Sequence, residues 1–205
     1  MLYVTAYKVH ACLYTFSLAL LFFKKRHCKE VVVRYEAMLF LFTLVFCLSA
    51  TIYGKKVRMK ISSSAFMHNG QIPKKYTYDG SDINPPLKIE DIPASAKSLV
   101  LIVDDPDAPM GRWVHWVVWN ISPKTAELKE NFVPGGSVQG MNDFRKHDYG
   151  GPRPPSGTHR YFFKLYALDT TLNVGAGAGK TAIELSMKGH ILAKAHLIGL
   201  YGRSR

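Results

Sequence analysis

The chain of 205 residues is 47% apolar and 20% charged, which excludes a disordered tract and leaves room for one ordinary domain plus an appendage. Its net charge of +12 would suit a nucleic-acid binder if it were spread evenly. Residues 1–58, however, hold nine Lys/Arg against two Glu, while residues 59–205 hold 18 against 13 with no dense basic run, so nucleic acid is not an expected partner.

The N-terminal section, 1–58, contains two apolar runs, VHACLYTFSLALLFF at 9–23 and MLFLFTLVFCLSATIY at 38–53. Both fall short of the ~20 residues that cross a bilayer comfortably. The basic stretch KKRHCKEVVVR lies between them, the kind of sequence left on the cytoplasmic side. Three readings compete. Residues 38–53 could be a secretory apolar region cleaved near Ala50, with Leu48 too large for a good cleavage site. One or both runs could stay as an anchor, or the start could be over-extended, since Met38 and Met59 both suit an initiator. A membrane-targeting segment built on 38–53 is favoured, which gives an anchored or exported protein if it is used and a cytoplasmic one otherwise. Cys12, Cys28 and Cys47 all lie in this section. Residues 59–205 therefore have no disulfide framework, thiolate nucleophile or Cys-ligated zinc.

From Met59 onward the sequence turns to β-type segments separated by Pro and Gly. SLVLIVDD at 98–105 is an apolar run of strand length, stopped by Pro106. VHWVVWNIS at 114–122 is β-branched and aromatic. Alternation puts Trp113, His115, Val117 and Trp119 on one face, with Val114, Trp116 and Val118 on the other. THRYFFKLYALD at 158–169 alternates with His159, Tyr161, Phe163 and Leu165 together. Shorter strands are expected at 59–63, 87–91 and 137–140, and AKAHLIGLY closes the sheet. GAGAGKT at 175–181 invites a phosphate-loop reading, but Val174 stands where its first glycine belongs and TTLN before it is a turn. Thr181 and Glu184 instead read as a capping box for a short helix stopped at Gly189. The fold class expected is mainly β, an antiparallel β-sandwich with one or two short peripheral helices.

Two stretches carry chemistry. In DDPDAPMGRWVHW (104–116), Pro106 and Pro109 stiffen a loop that holds Asp105 and Asp107 near a strand bearing an inward His115. In YGGPRPPSGTHRY (149–161), Gly150 and Gly151 permit close backbone approach, and Pro152, Pro154 and Pro155 pre-order the loop before His159 and Tyr161. Taken singly, His115 suits a hydrogen-bonded core residue and each loop suits a rigid turn. Together they supply what a small-anion pocket needs.

DPDAP followed by WVHW, with YGGPRPPSGTHRY further on and KISSSAFMHNGQIPKKYTYDG before INPPL, resembles the phosphatidylethanolamine-binding protein (PEBP) family. The closer likeness is to its bacterial, Raf-kinase-inhibitor-like branch, and it covers residue 59 to the C-terminus. The resemblance implies a central antiparallel β-fold with a smaller second sheet. It also implies a pocket for phosphate, phosphoethanolamine or a similar group. By motif position the pocket would use Asp105, Ala108, Pro109, Trp113, His115, Gly151, His159 and Tyr161, with Asp107 in the same loop. Arg153 stands where the eukaryotic motif has a further glycine, so it would either add affinity for an anion or narrow the pocket.

The expected function is therefore non-enzymatic binding of a small phosphorylated or carboxylated ligand, such as a phospholipid headgroup. His115 and His159 would donate to the anion, with no metal or cofactor. Two alternatives stand beside it. One is a hydrolase or metal-dependent enzyme using Asp105, Asp107, His115 and His159. The other is a module that inhibits a kinase or protease, which rests on family analogy. The oligomeric state is open, a homodimer being one option.

Overall fold

A computed structural model describes residues 58–203. The two N-terminal apolar runs, the three cysteines and the targeting reading built on them lie outside these residues. No helix among the described residues is long and apolar enough to cross a membrane.

Nine strands carry the described domain: β1 (Lys60–Ser62), β2 (Gly70–Gln71), β3 (Leu87–Glu90), β4 (Ser98–Asp105), β5 (Trp113–Ile121), β6 (Glu127–Leu128), β7 (Val138–Gln139), β8 (Thr158–Leu168) and β9 (Ile191–Gly202). One α-helix, α1 (Lys180–Ser186), precedes β9, and Lys74–Tyr76 forms a 3-10 turn. The large sheet runs β2-β9-β8-β4-β5-β7 and the small one β1-β3-β6. All pairings but β2–β9 are antiparallel. Among the described residues the architecture is mainly β, with two sheets and one short helix, within the mainly β fold with one or two short helices that the sequence implied.

β4 is buried along its whole length because both of its faces are covered. Leu99, Leu101 and Val103 meet Ile61, Leu87, Ile89 and Leu128 of the small sheet in one core. Val100 and Ile102 face the other way, packing with Ile183 and Met187 of the helix segment and with Leu172. An unbroken apolar run is what such a doubly covered strand requires. β8 shows the expected alternation, with His159, Tyr161, Phe163 and Leu165 buried.

β5 departs from strict alternation. Val103 pairs with Trp116 but Asp104 pairs with Val114, so His115 is the extra residue of a β-bulge. The bulge resets the phase. Trp116 and Val118 join the core between the sheets, whereas Val114, Val117 and Trp119 face the helix side. His115 and Trp116 therefore sit on the same side, which period-2 counting from Trp113 cannot produce. A second irregularity falls at Asn120, at φ 56.

The helix also corrects one expectation. Its N-cap is Gly179, with no side-chain cap, so Thr181 lies inside the first turn and no capping box forms. The glycines before it follow no strand, as the rejection of a phosphate loop requires. Gly189 does end the helix region, at φ 82, a conformation that glycine adopts without strain.

Candidate functional site

At one end of the large sheet, the end of β4, the start of β5 and the start of β8 converge. Asp105 closes β4, and its Oδ1 accepts the backbone N–H of Asp107 at 2.8 Å, an Asx turn that folds the chain back toward Trp113. The turn tightens through a Gly111 N–H bond to the Ala108 carbonyl at 3.0 Å, with Gly111 at φ 97. On β8, His159 Nδ1 lies 2.7 Å from Asp105 Oδ2. Both groups are nearly buried, so the carboxylate fixes the ring's orientation.

His115 is held from the opposite side. Its Nδ1 is 2.6 Å from the Gly150 carbonyl, and the Gly150 N–H returns a bond to the His115 carbonyl at 3.0 Å. Rings of Phe144 and Tyr161 stand edge-on to the imidazole, 5.4 Å and 5.2 Å away. Burial pushes the His115 pKa below the ordinary histidine range, against the opposing pull of the Gly150 bond and of Asp105. Asn142 supports the segment carrying Phe144: its side chain donates to the Asp148 and His115 carbonyls and accepts the Lys146 N–H. A Cβ at Gly150 would lie 2.5 Å from the Phe144 ring, so a larger residue here would have to displace that ring.

These groups surround a cavity of about 350 Å³. Of the sequence-expected residues, Asp105, Ala108, Pro109, Trp113, His115, His159 and Tyr161 line it. Met110, Phe144, Arg153, Pro154 and Pro155 complete the wall. Tyr161 is buried with its hydroxyl unpartnered; the Arg153 backbone N–H approaches without completing a hydrogen bond. Burial first, then Asp105, holds that phenol well above the usual tyrosine range.

Two expected residues point elsewhere. Asp107 turns away to Arg160, whose Nε and Nη2 reach its two carboxylate oxygens at 2.9 and 2.6 Å while the Arg160 N–H adds a third bond. This fork pulls the Asp107 carboxyl down to about 2 and bolts the turn to β8. Gly151 spends its N–H on Asp82 Oδ1 at 2.6 Å. Its α-carbon is pressed against the 77–82 segment, where a Cβ would meet the Thr77 backbone at 2.7 Å. Gly151 thus anchors the loop and does not face the cavity. Phe144 and Met110 carried no sequence signal beyond lying in long or stiffened loops.

The cavity's charge is simple. Among its lining residues only Asp105 and Arg153 carry a permanent charge, and Asp105 is engaged by His159. Arg153 is exposed and stacks on Tyr78, its guanidinium 4.1 Å from the ring centroid; among the described residues it forms no ion pair. Among the same residues, no three His, Cys, Asp or Glu side chains are grouped as a metal site. Of the four residues considered for a metal-dependent alternative, Asp107 pairs with Arg160 and Asp105 with His159.

Comparison with known proteins agrees with this architecture. The family model described as phosphatidylethanolamine-binding protein matches residues 62–202. A UPF0098 protein of Methanothermobacter thermautotrophicus is 52% identical over 150 residues, 71% of this chain and 99% of that one. One from Aquifex aeolicus is 51% identical, covering 71% of this chain and 89% of its own. Among solved structures, a putative PEBP homolog from Chlamydia trachomatis superposes with TM-score 0.70 at 43% identity, covering 73% of this chain and all of that chain. YbcL of E. coli, described as a new member of the mammalian PEBP family, gives 0.68 at 28% identity, with 72% and 99% covered.

Proposed function

This chain belongs to the phosphatidylethanolamine-binding protein family, and from that premise we propose that its cavity binds a small anionic group of the phosphate or phosphoethanolamine type. The observation that carries the reading is a set of uncommitted polar groups around one small cavity. The Nε2 atoms of His115 and His159 have no protein partner among the described residues, and the Tyr161 hydroxyl is buried without one. Buried polar groups are normally satisfied, so such a cluster suits a polar ligand that completes it.

Arg153 supplies the sign. Asp105 alone would make the cavity repel anions; the guanidinium on Tyr78 offers five donors in a planar fork, a shape matched to phosphate and carboxylate. Trp113, Phe144 and the prolines exclude water and leave the anion in a low-dielectric setting, where a single cation counts for more. Met110, 95% exposed at the lip, and Tyr78 form the apolar rim over which the remainder of a headgroup would lie. The reading is one of recognition without chemistry, and regulation of a partner protein would act through occupancy of the same cavity.

Titration of the protein with O-phosphoethanolamine, following the His115 and His159 imidazoles by NMR, tests it. Both rings are expected to shift in a saturable way. Silence of both at millimolar ligand removes the reading.

A further inference from the structure

The two imidazoles are not equivalent, and their hydrogen bonds say what each can offer a ligand. A backbone carbonyl only accepts, so the His115 Nδ1, 2.6 Å from the Gly150 oxygen, must carry a hydrogen. A neutral imidazole has one donor and one acceptor nitrogen. With Nδ1 as donor, the Nε2 of His115 faces the ligand space as a lone pair. The sequence-based expectation that His115 donates to the anion is thereby reversed. His159 differs in its partner: its Nδ1 meets the Asp105 carboxylate at 2.7 Å, an anion where His115 has a neutral backbone carbonyl.

We propose that this pocket selects an anion carrying its own hydrogen, a singly protonated phosphate group of free phosphate or a phosphate monoester, whose P–OH donates to His115 Nε2 while its charged oxygens face Arg153 and His159. The proposal rests on the anion-pocket reading above and sharpens it to a ligand class. A phosphodiester, as in an intact phospholipid headgroup, has no P–OH to give. Sulfate has the same shape and no hydrogen near neutral pH. Either would set an oxygen lone pair against the His115 lone pair, which is repulsive and leaves a buried acceptor unsatisfied.

The surroundings keep His115 in the accepting state. Its ionisable neighbours are Asp104 and Asp105 on β4, Tyr161 and His159 on β8, Asp143 in the segment before β8, and Arg153 across the cavity. Three are carboxylates that would favour a charged ring, yet burial outweighs them and lowers the ring's pKa below the ordinary histidine range. Tyr161, whose ring stands edge-on to His115 at 5.2 Å, adds a buried hydroxyl without a hydrogen-bond partner among the described residues. The wall thus sets the His115 acceptor opposite the Arg153 donors, complementary to an acid phosphate.

The test is a competition among three small anions against the whole chain at pH about 6, near the second ionisation of a phosphate monoester. Inorganic phosphate, sulfate and dimethyl phosphate are titrated separately, with nitrogen resonances of His115 and His159 as the readout. Phosphate is expected to bind at least about tenfold more tightly than either of the others, as when a site built for a hydrogen bond rejects the analogue lacking it. In the phosphate complex His115 Nε2 should keep the shift of an unprotonated nitrogen. Binding of sulfate or dimethyl phosphate within about threefold of phosphate overturns the inference and leaves the anion pocket standing. No response to any of the three overturns both. The dimethyl phosphate arm also separates the two sources of such a ligand, since a diester lipid headgroup behaves as it does and a free phosphate or monoester does not.

Discussion

Asp104 and Asp105 are consecutive residues of β4 and serve opposite faces of the same sheet. Asp105 turns to the ligand cavity and orients His159. Asp104 turns to the helix side, where Arg112, Lys164 and Lys180 all reach its fully buried carboxylate, at 2.8, 2.8 and 3.2 Å. The strand is regular here against β8, so the period of two delivers one carboxylate to each layer. The doubled aspartate at the end of the run is thus a site residue beside a structural one, and the structural one ties β4, β8, α1 and the turn before β5 together.

Asp104→Asn is expected to cost roughly 3 to 5 kcal/mol, as for other buried ion pairs that lose one partner. It leaves Lys164, mostly buried, without its countercharge and Lys180 with only Glu184 at 3.6 Å. Lys180→Met should cost much less, because Arg112 and Lys164 still serve the carboxylate. Urea denaturation of the two variants checks the order; equal small losses would mean that the cluster is solvated.

Arg153→Gln should leave stability within about 0.5 kcal/mol of the parent, as is usual for an exposed side chain. The affinity for inorganic phosphate should fall by about tenfold or more, as expected when a charge-assisted contact is removed. Arg153→Lys should recover only part, because a lysine cannot stack on Tyr78 and present a planar fork together. Calorimetric titration at two salt concentrations reads both effects, and an unchanged affinity in the Gln variant would show that the charge is not used.

Much of this was legible in the sequence because it rests on short-range rules. The unbroken apolar run SLVLIVDD reads as a strand ending before Pro106, and it is one, buried throughout. THRYFF placed His159 and Tyr161 on the inner face by alternation alone, and the prolines around them marked stiff loops. What the sequence hid is geometry set by tertiary contact. Nothing local announces that His115 is a bulge residue; the extra residue exists only relative to the register with β4. Gly151 and Asp107 stand inside the right motifs, yet their partners Asp82 and Arg160 lie 69 and 53 residues away. Motif membership told which loops meet, but the hydrogen bonds decide which atoms in them are free.

Gly151→Ala separates anchoring from ligand contact. The new methyl would sit 2.7 Å from Asp82 Oδ1 and from the Thr77 carbonyl carbon, atoms held by backbone and by the Gly151 bond itself. Overpacking of this kind costs about 1 to 3 kcal/mol. Thermal unfolding should show that loss. Asp82→Asn keeps the shape and weakens the bond, so it should lose less stability and leave phosphate affinity nearly unchanged. A large affinity loss in Asp82→Asn, with stability kept, would mean that the Gly151 N–H does reach the ligand.

The Asp107–Arg160 fork predicts a specific acid sensitivity. Asp107 is held down to about 2 in the folded chain, first by its Arg160 side-chain bond, against an ordinary aspartate near 3.9 when unfolded. A depressed carboxylate binds its proton more readily in the unfolded state, so the stability it contributes is complete above pH about 4. That contribution is lost as pH falls from about 4 to about 2, where folded and unfolded forms are both protonated. The pair lies at the surface, with the Arg160 side chain 55% exposed, so solvent screening limits its worth to about 1 kcal/mol or less. Asp107→Asn should therefore match the acid-treated parent near pH 2 and fall below it by that amount near pH 6. Denaturant midpoints across this range check the sign, and a gap that widens toward acid would mean that Asp107 destabilises the fold.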